Sequence, residues 1–198
     1  MQRPTHCNTS YEAARFEVPA HLWVDVSEAD YGVALLNDCK YGHEVVESVV
    51  RLTLLKGSIS PDPTADMEDH LFTYALCPHA GDWRAAGVMP RALNLNEPLT
   101  VFASQQPLPR RSLLACDAGN VTLEAVKRAE DGDGLIVRLV ERHNRRTSAT
   151  LTFDRPVTAA WVCNLMETTE AALTPTGAQL AVSFIPFEIV TLKVKFAA

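Results

Sequence analysis

From residue 121 onward the chain repeats one pattern: runs at 121–126, 134–140, 148–153, 157–163, 178–184 and 187–196 are short, apolar and β-branched, each closed by a turn cluster. Runs of this length suit strands, and six in succession predict an antiparallel β-sandwich. The last run sets Glu188, Val190, Leu192, Val194 and Phe196 against Ile189, Thr191, Lys193 and Lys195, so one face should pack and the other should meet water. Strand does not alternate with helix anywhere in the chain. That pattern excludes a (β/α) barrel and a dinucleotide-binding fold.

The first half is also strand-like but more broken. Ala14, Phe16 and Val18 alternate with Arg15 and Glu17 as in a half-buried strand. Tyr31 and Gly32 lead into Val33, Ala34, Leu35 and Leu36, a strand apolar enough to be buried on both faces. It runs into a polar, glycine-bounded corner, Asn37, Asp38, Cys39, Lys40, Tyr41, Gly42 and His43, the densest set of ligand-capable side chains in the sequence. A further strand over 48–55 stops at Lys56 and Gly57, and Pro61 and Pro63 force an acidic surface loop. Residues 70–77 are apolar on both faces, which predicts a central strand ending at Pro78. Asp82 can cap a short helix from Trp83 through Ala86, limited to two turns by Gly87 and Pro90. Residues 97–111 are rich in proline and glutamine, which places a domain boundary near 105–115.

Composition narrows the function classes. A chain of 198 residues with 47% hydrophobic content, and no apolar run near the roughly 20 residues of a membrane span, reads as a soluble globular protein with no membrane partner. The N-terminus has no signal-peptide core, so a cytoplasmic location is expected. A net charge of −6 has the wrong sign for a nucleic-acid partner. Five cysteines without a C-x-x-C pair predict reduced thiols rather than disulfides or a zinc ribbon. The six histidines show no metalloprotease spacing, and Asp69 with His70 and His79 with Asp82 read as surface or turn pairs. Cys39 beside Lys40 could be an activated thiolate, although inert packing is the commoner role of such a cysteine. No G-x-S-x-G elbow is present, and among 24 acidic residues the sequence singles out no glycosidic pair. Most of the Trp and Tyr residues precede the boundary; core packing is the default for each except Tyr41, whose polar neighbours argue for exposure.

Several motifs carry a resemblance. R-P-T-H-x-N-T-S at 3–10, A-R-F-E-V-P at 14–19, Y-G-V-A-L-L-N-D-C-K-Y-G at 31–42, R-L-T-L-L at 51–55, and F-T-Y-A-L followed by P-H-A-G-D-W within 72–83 together resemble the C-terminal β region of family 38 glycoside hydrolases, the α-mannosidases, in their cytosolic and bacterial branch. N-L-M-E at 164–167 and P-F-E-I-V-T-L at 186–192 look like the closing strands of the same enzymes. The resemblance implies an all-β chain in two parts: the C-terminal part of a supersandwich (galactose mutarotase-like) at 1–110 and a small terminal antiparallel β-sandwich at 111–198. It implies a parent enzyme that hydrolyses terminal α-mannosides with retention, using a zinc ion held by an N-terminal barrel. Nothing here matches that barrel, so no catalytic residue or metal ligand is assigned, and the chain is expected to be an excised or truncated C-terminal region, inactive alone. Its implied partners are the catalytic barrel of the same polypeptide and the mannoside, with a homo-oligomer also possible. Asn37, Asp38, Lys40, Tyr41, His43 and Lys56 are the candidates for the rim of the sugar site. The competing reading is an independent carbohydrate-binding β-sandwich module.

Overall fold

A computed structural model describes residues 4–197; Arg3, which opens the R-P-T-H series, lies outside them. The chain divides into two compact units, residues 1–103 and 104–198. Nearly all regular structure is antiparallel β, with two short helices.

The first unit begins with helix α1 (Ser10–Ala13), held by a capping box in which Thr9 and Glu12 satisfy each other's backbone N–H groups. The T-x-x-E spacing announces this turn, and it displaces the strand expected from residue 14, which starts only at β1 (Glu17–Pro19). β1 pairs with β4 (Gly42–Val46), which pairs with β5 (Val49–Leu52). A second sheet holds β2 (Trp23–Ser27), β3 (Tyr31–Asn37) and β6 (Tyr74–Ala80), with β3 in the middle.

β3 is apolar on both faces for two different reasons. Ala34 and Leu36 pack with Val88 and Ala92 of helix α2 (Val88–Asn96), while Val33 and Leu35 face a groove described below. The helix differs from expectation: residues 83–87 form only a turn, and α2 starts after Gly87 and contains Pro90. Pro90 is the third helical residue, where the backbone N–H would lack an intrahelical acceptor anyway, so its missing donor costs the helix nothing. β6 is an edge strand rather than a central one, and it continues through Pro78. An edge tolerates proline because one side of the strand makes no ladder bonds.

The second unit is a sandwich. Its larger sheet orders β12 (Thr169–Leu173), β11 (Val157–Cys163), β14 (Ile189–Phe196), β9 (Leu135–Glu141) and β8 (Val121–Arg128). Its smaller sheet orders β13 (Gln179–Phe184), β10 (Thr147–Phe153) and β7 (Leu114–Cys116). Inward residues of both sheets, among them Leu139, Leu151, Leu180 and Leu192, form one core. β7 and β12 add to the six strands expected. The middle of the second face of β14 does not meet water as anticipated: Thr191 and Lys193 are buried, while Ile189 at its start is exposed. β14 lies between β11 and β9, so flanking side chains cover the lysine stem while its ammonium reaches Asp131.

Candidate functional site

The corner after β3 is built by main-chain bonds to three separate segments. Asn37 N–H donates to Leu22 O (2.9 Å), and Asn37 O accepts from Asn96 Nδ2 at the end of α2 (3.0 Å). Asn37 Oδ1 accepts from Lys40 N–H (3.0 Å), an Asx-type turn that explains an asparagine here. Asp38 N–H donates to Thr73 O (3.2 Å), and Asp38 Oδ2 accepts from Thr73 N–H (2.9 Å), so the corner is clipped to the approach to β6. Tyr41 O accepts from Ala20 N–H (2.9 Å).

These bonds sort the expected rim residues by depth. Asn37 and His43 are fully buried, and His43 lies in β4 opposite Val18 and Leu52. Asp38 and Lys40 are half-buried, and Tyr41 and Lys56 are exposed, Lys56 in the loop beyond β5. Tyr41 stacks on His21 with centroids 4.4 Å apart, and the Lys40 ammonium sits 5.1 Å above the Phe72 ring. The surface of the corner is therefore two aromatic faces and a cation. Asn37 Nδ2 and His43 Nε2 are buried without a hydrogen-bond partner.

The chemistry of the corner argues against nucleophilic catalysis. The Asp38 carboxylate hydrogen-bonds to the Cys39 thiol and, with burial, pushes the thiol pKa up, outweighing Lys40. Asp38 itself is held below the usual carboxylate range by that thiol and by Thr73 N–H. Burial pushes His43 down, while its Nδ1 faces Tyr41 O at 3.3 Å. Among the described residues no group of three or more His, Cys, Asp or Glu side chains is placed to hold a metal ion, so the residues present do not fit a zinc site. All five cysteines are free thiols.

Two further features were not anticipated. His79 pairs with Asp25 of β2, not with nearby Asp82: Nε2 lies 2.7 Å from Asp25 Oδ1 and Nδ1 lies 3.1 Å from Gly81 O. Asp82 instead caps the following turn through Arg84 and Ala85 N–H groups. Second, a groove of about 960 Å³ opens between the two sheets of the first unit, lined by Val33, Leu35, Val50, Leu52, Leu54 and Leu76 with Tyr31 and Tyr74. The alternation of β3 gave a signal for it, since a strand apolar on both faces needs a cover on each.

Comparison with known proteins identifies the family. Residues 1–64 match the profile of the glycosyl hydrolases family 38 C-terminal domain, and residues 120–192 that of the family 38 C-terminal beta sandwich domain. Human alpha-mannosidase 2C1 is 44% identical over 97% of this chain, and alpha-mannosidase G of Dictyostelium discoideum is 34% identical over 98%. The chain spans only 19% and 18% of the length of these two relatives. The crystal structure of an alpha-mannosidase from Enterococcus faecalis V583 has the same fold over 96% of this chain and 22% of its own, with a TM-score of 0.73 at 22% identity. No helix among the described residues is long and apolar enough to cross a membrane. With one family 38 C-terminal model matched in each unit, the chain belongs to glycosyl hydrolase family 38, in the C-terminal region of its α-mannosidases.

Proposed function

We propose that this chain is the C-terminal scaffold of an α-mannosidase of the cytosolic and bacterial branch, acting in the cytoplasm on terminal α-mannosides with retention of configuration. Residues 1–110 are the late part of a supersandwich, and residues 111–198 are the terminal sandwich. The nucleophile, the general acid and the zinc ligands belong to a catalytic domain outside these 198 residues. The observation that carries this reading is the apolar groove of the first unit, about 960 Å³ with its walls drawn from both sheets. An opening of that character in a family 38 chain spanning a fifth of its relatives is best accounted for as a surface buried against the rest of the polypeptide.

The rim residues then divide by role. Lys40, Tyr41 and Lys56 reach the surface and can meet sugar hydroxyls or a sugar face. Asn37, Asp38 and His43 hold the corner in shape. Assay of p-nitrophenyl α-mannoside with added zinc tests the assignment: these 198 residues alone should give no turnover, and the full polypeptide should be active. Turnover by the 198 residues alone would overturn it.

A second reading, an independent mannose-binding module, is favoured by one observation, the exposed Tyr41 ring stacked on His21. Calorimetric titration with mannose and mannobiose separates the two. Saturable binding lost in Tyr41→Ala would favour the module, and no heat would favour the scaffold.

A further inference from the structure

Two connections cross side by side at one end of the sandwich. β9 and β14 are neighbours in the larger sheet and β10 and β13 in the smaller one, so residues 142–146 and 185–188 run from sheet to sheet next to each other. Both hang from Glu141, which is fully buried. Its Oε1 accepts from Asn120 Nδ2 (2.8 Å) and His143 N–H (2.7 Å), and its Oε2 from Phe187 N–H (2.9 Å) and Arg145 N–H (3.2 Å). Its own N–H donates to Glu188 O (2.9 Å), and Glu188 turns back to accept from Ile185 N–H (2.7 Å).

This bracing holds an unfavourable conformation. Phe187 has φ +60°, a region disfavoured for a bulky residue, whereas Asn144 on the neighbouring connection, at φ +60° as well, is of a type that accepts it readily. The side chain so displayed is not used in the core: Ile185, Phe187 and Ile189 are 53%, 56% and 56% exposed. Arg145 and Arg146 are exposed on the adjacent connection. A strained, rigid, apolar tip beside two cations is a preorganised contact surface rather than a solvent-facing turn.

We propose that this end of the second unit is a docking surface for an apolar pocket rimmed by carboxylates, carried by the part of the α-mannosidase polypeptide outside these 198 residues. Charge argues against two copies meeting tip to tip, which would set Arg145 and Arg146 of one against the same cations of the other, and for a partner surface carrying carboxylates. Length favours it too, since about four-fifths of each relative lies outside the matched region. The inference rests on the scaffold reading above.

Hydroxyl-radical footprinting with mass spectrometry tests it by comparing the isolated 198 residues with the full polypeptide. Phe187 should be labelled freely in the isolated chain and at least about fivefold less in the full polypeptide. Arg145→Glu/Arg146→Glu should restore labelling in the full polypeptide while leaving the near-UV circular dichroism of the isolated chain unchanged. Equal labelling of Phe187 in both forms would overturn the proposal. Protection of Tyr74 in the groove without protection of Phe187 would overturn this docking surface alone, whereas protection of neither would overturn the scaffold reading as well. Protection of Phe187 that appears in the isolated chain as its concentration rises, with a doubling of mass by light scattering, would assign the surface to a second copy and also overturn it.

Discussion

His79 and His43 are both in the first unit, yet their environments push them in opposite directions. The hydrogen bond to Asp25 raises His79, helped by the Gly81 carbonyl, because both ring nitrogens face acceptors and favour the imidazolium. Burial lowers His43. A raised histidine contributes stability that is complete below its unfolded pKa of about 6.5 and is lost as pH rises through its higher folded value. A lowered one contributes above about 6.5 and is lost as pH falls through its folded value. Asp25→Asn should therefore destabilise the first unit at pH 6 by about 3–5 kcal/mol, the cost of leaving one partner of a buried pair. The difference from the parent chain should shrink at pH 9, and urea unfolding at the two pH values measures both. Neither histidine's role is legible locally: Asp25 and His79 are 54 positions apart, and the glycine-bounded corner gives His43 every appearance of exposure.

At the scale of elements, β3 determines the layout of the first unit. It pairs with β2 and β6, supports α2 on one face and walls the groove with the other. Gly32 near its start sits against the buried pair, and a Cβ there would lie 2.5 Å from His79 Cε1 and 2.6 Å from Ser27 Cβ. Gly32→Ala should accordingly cost about 1–3 kcal/mol, from overpacking, and lower the thermal midpoint; an unchanged midpoint would show that His79 can shift. Alternation made β10 and β13 readable, since a strand with one buried face writes its period into the sequence. It misplaced β6, because apolar residues on both faces suit an edge strand beside an open groove as well as a central strand. It also missed the length of α2, because a proline ends a helix only when it falls beyond the first turn.

In the molecule as a whole, the two units differ in how much they bury. Among the described residues, fourteen buried side chains make one cluster in the second unit, against four in the cluster between β3 and α2. Amide exchange should therefore be slowest in β9, β10 and β14, and Leu151→Ala in that core should cost about 2–5 kcal/mol and speed exchange throughout the second unit. The all-β class and the family were legible over most of the chain, because motifs such as N-D-C-K-Y-G combine strand, Asx turn and glycine in one order. The groove was signalled only by the two apolar faces of β3, and the tip at Phe187 not at all, since each depends on which apolar residues find no neighbour, a property of the assembled sheets. The edge strand beside the groove adds a constraint on how that opening can be closed. Pro78 lies within β6, opposite Val33, and has no N–H to offer along the free side of the strand. A foreign strand annealing there would lose a rung of its ladder at that position, so this edge resists growth by strand addition even while the apolar groove beside it is open. At the β6 edge, cover for the groove comes more readily from side chains laid on its walls than from an added strand.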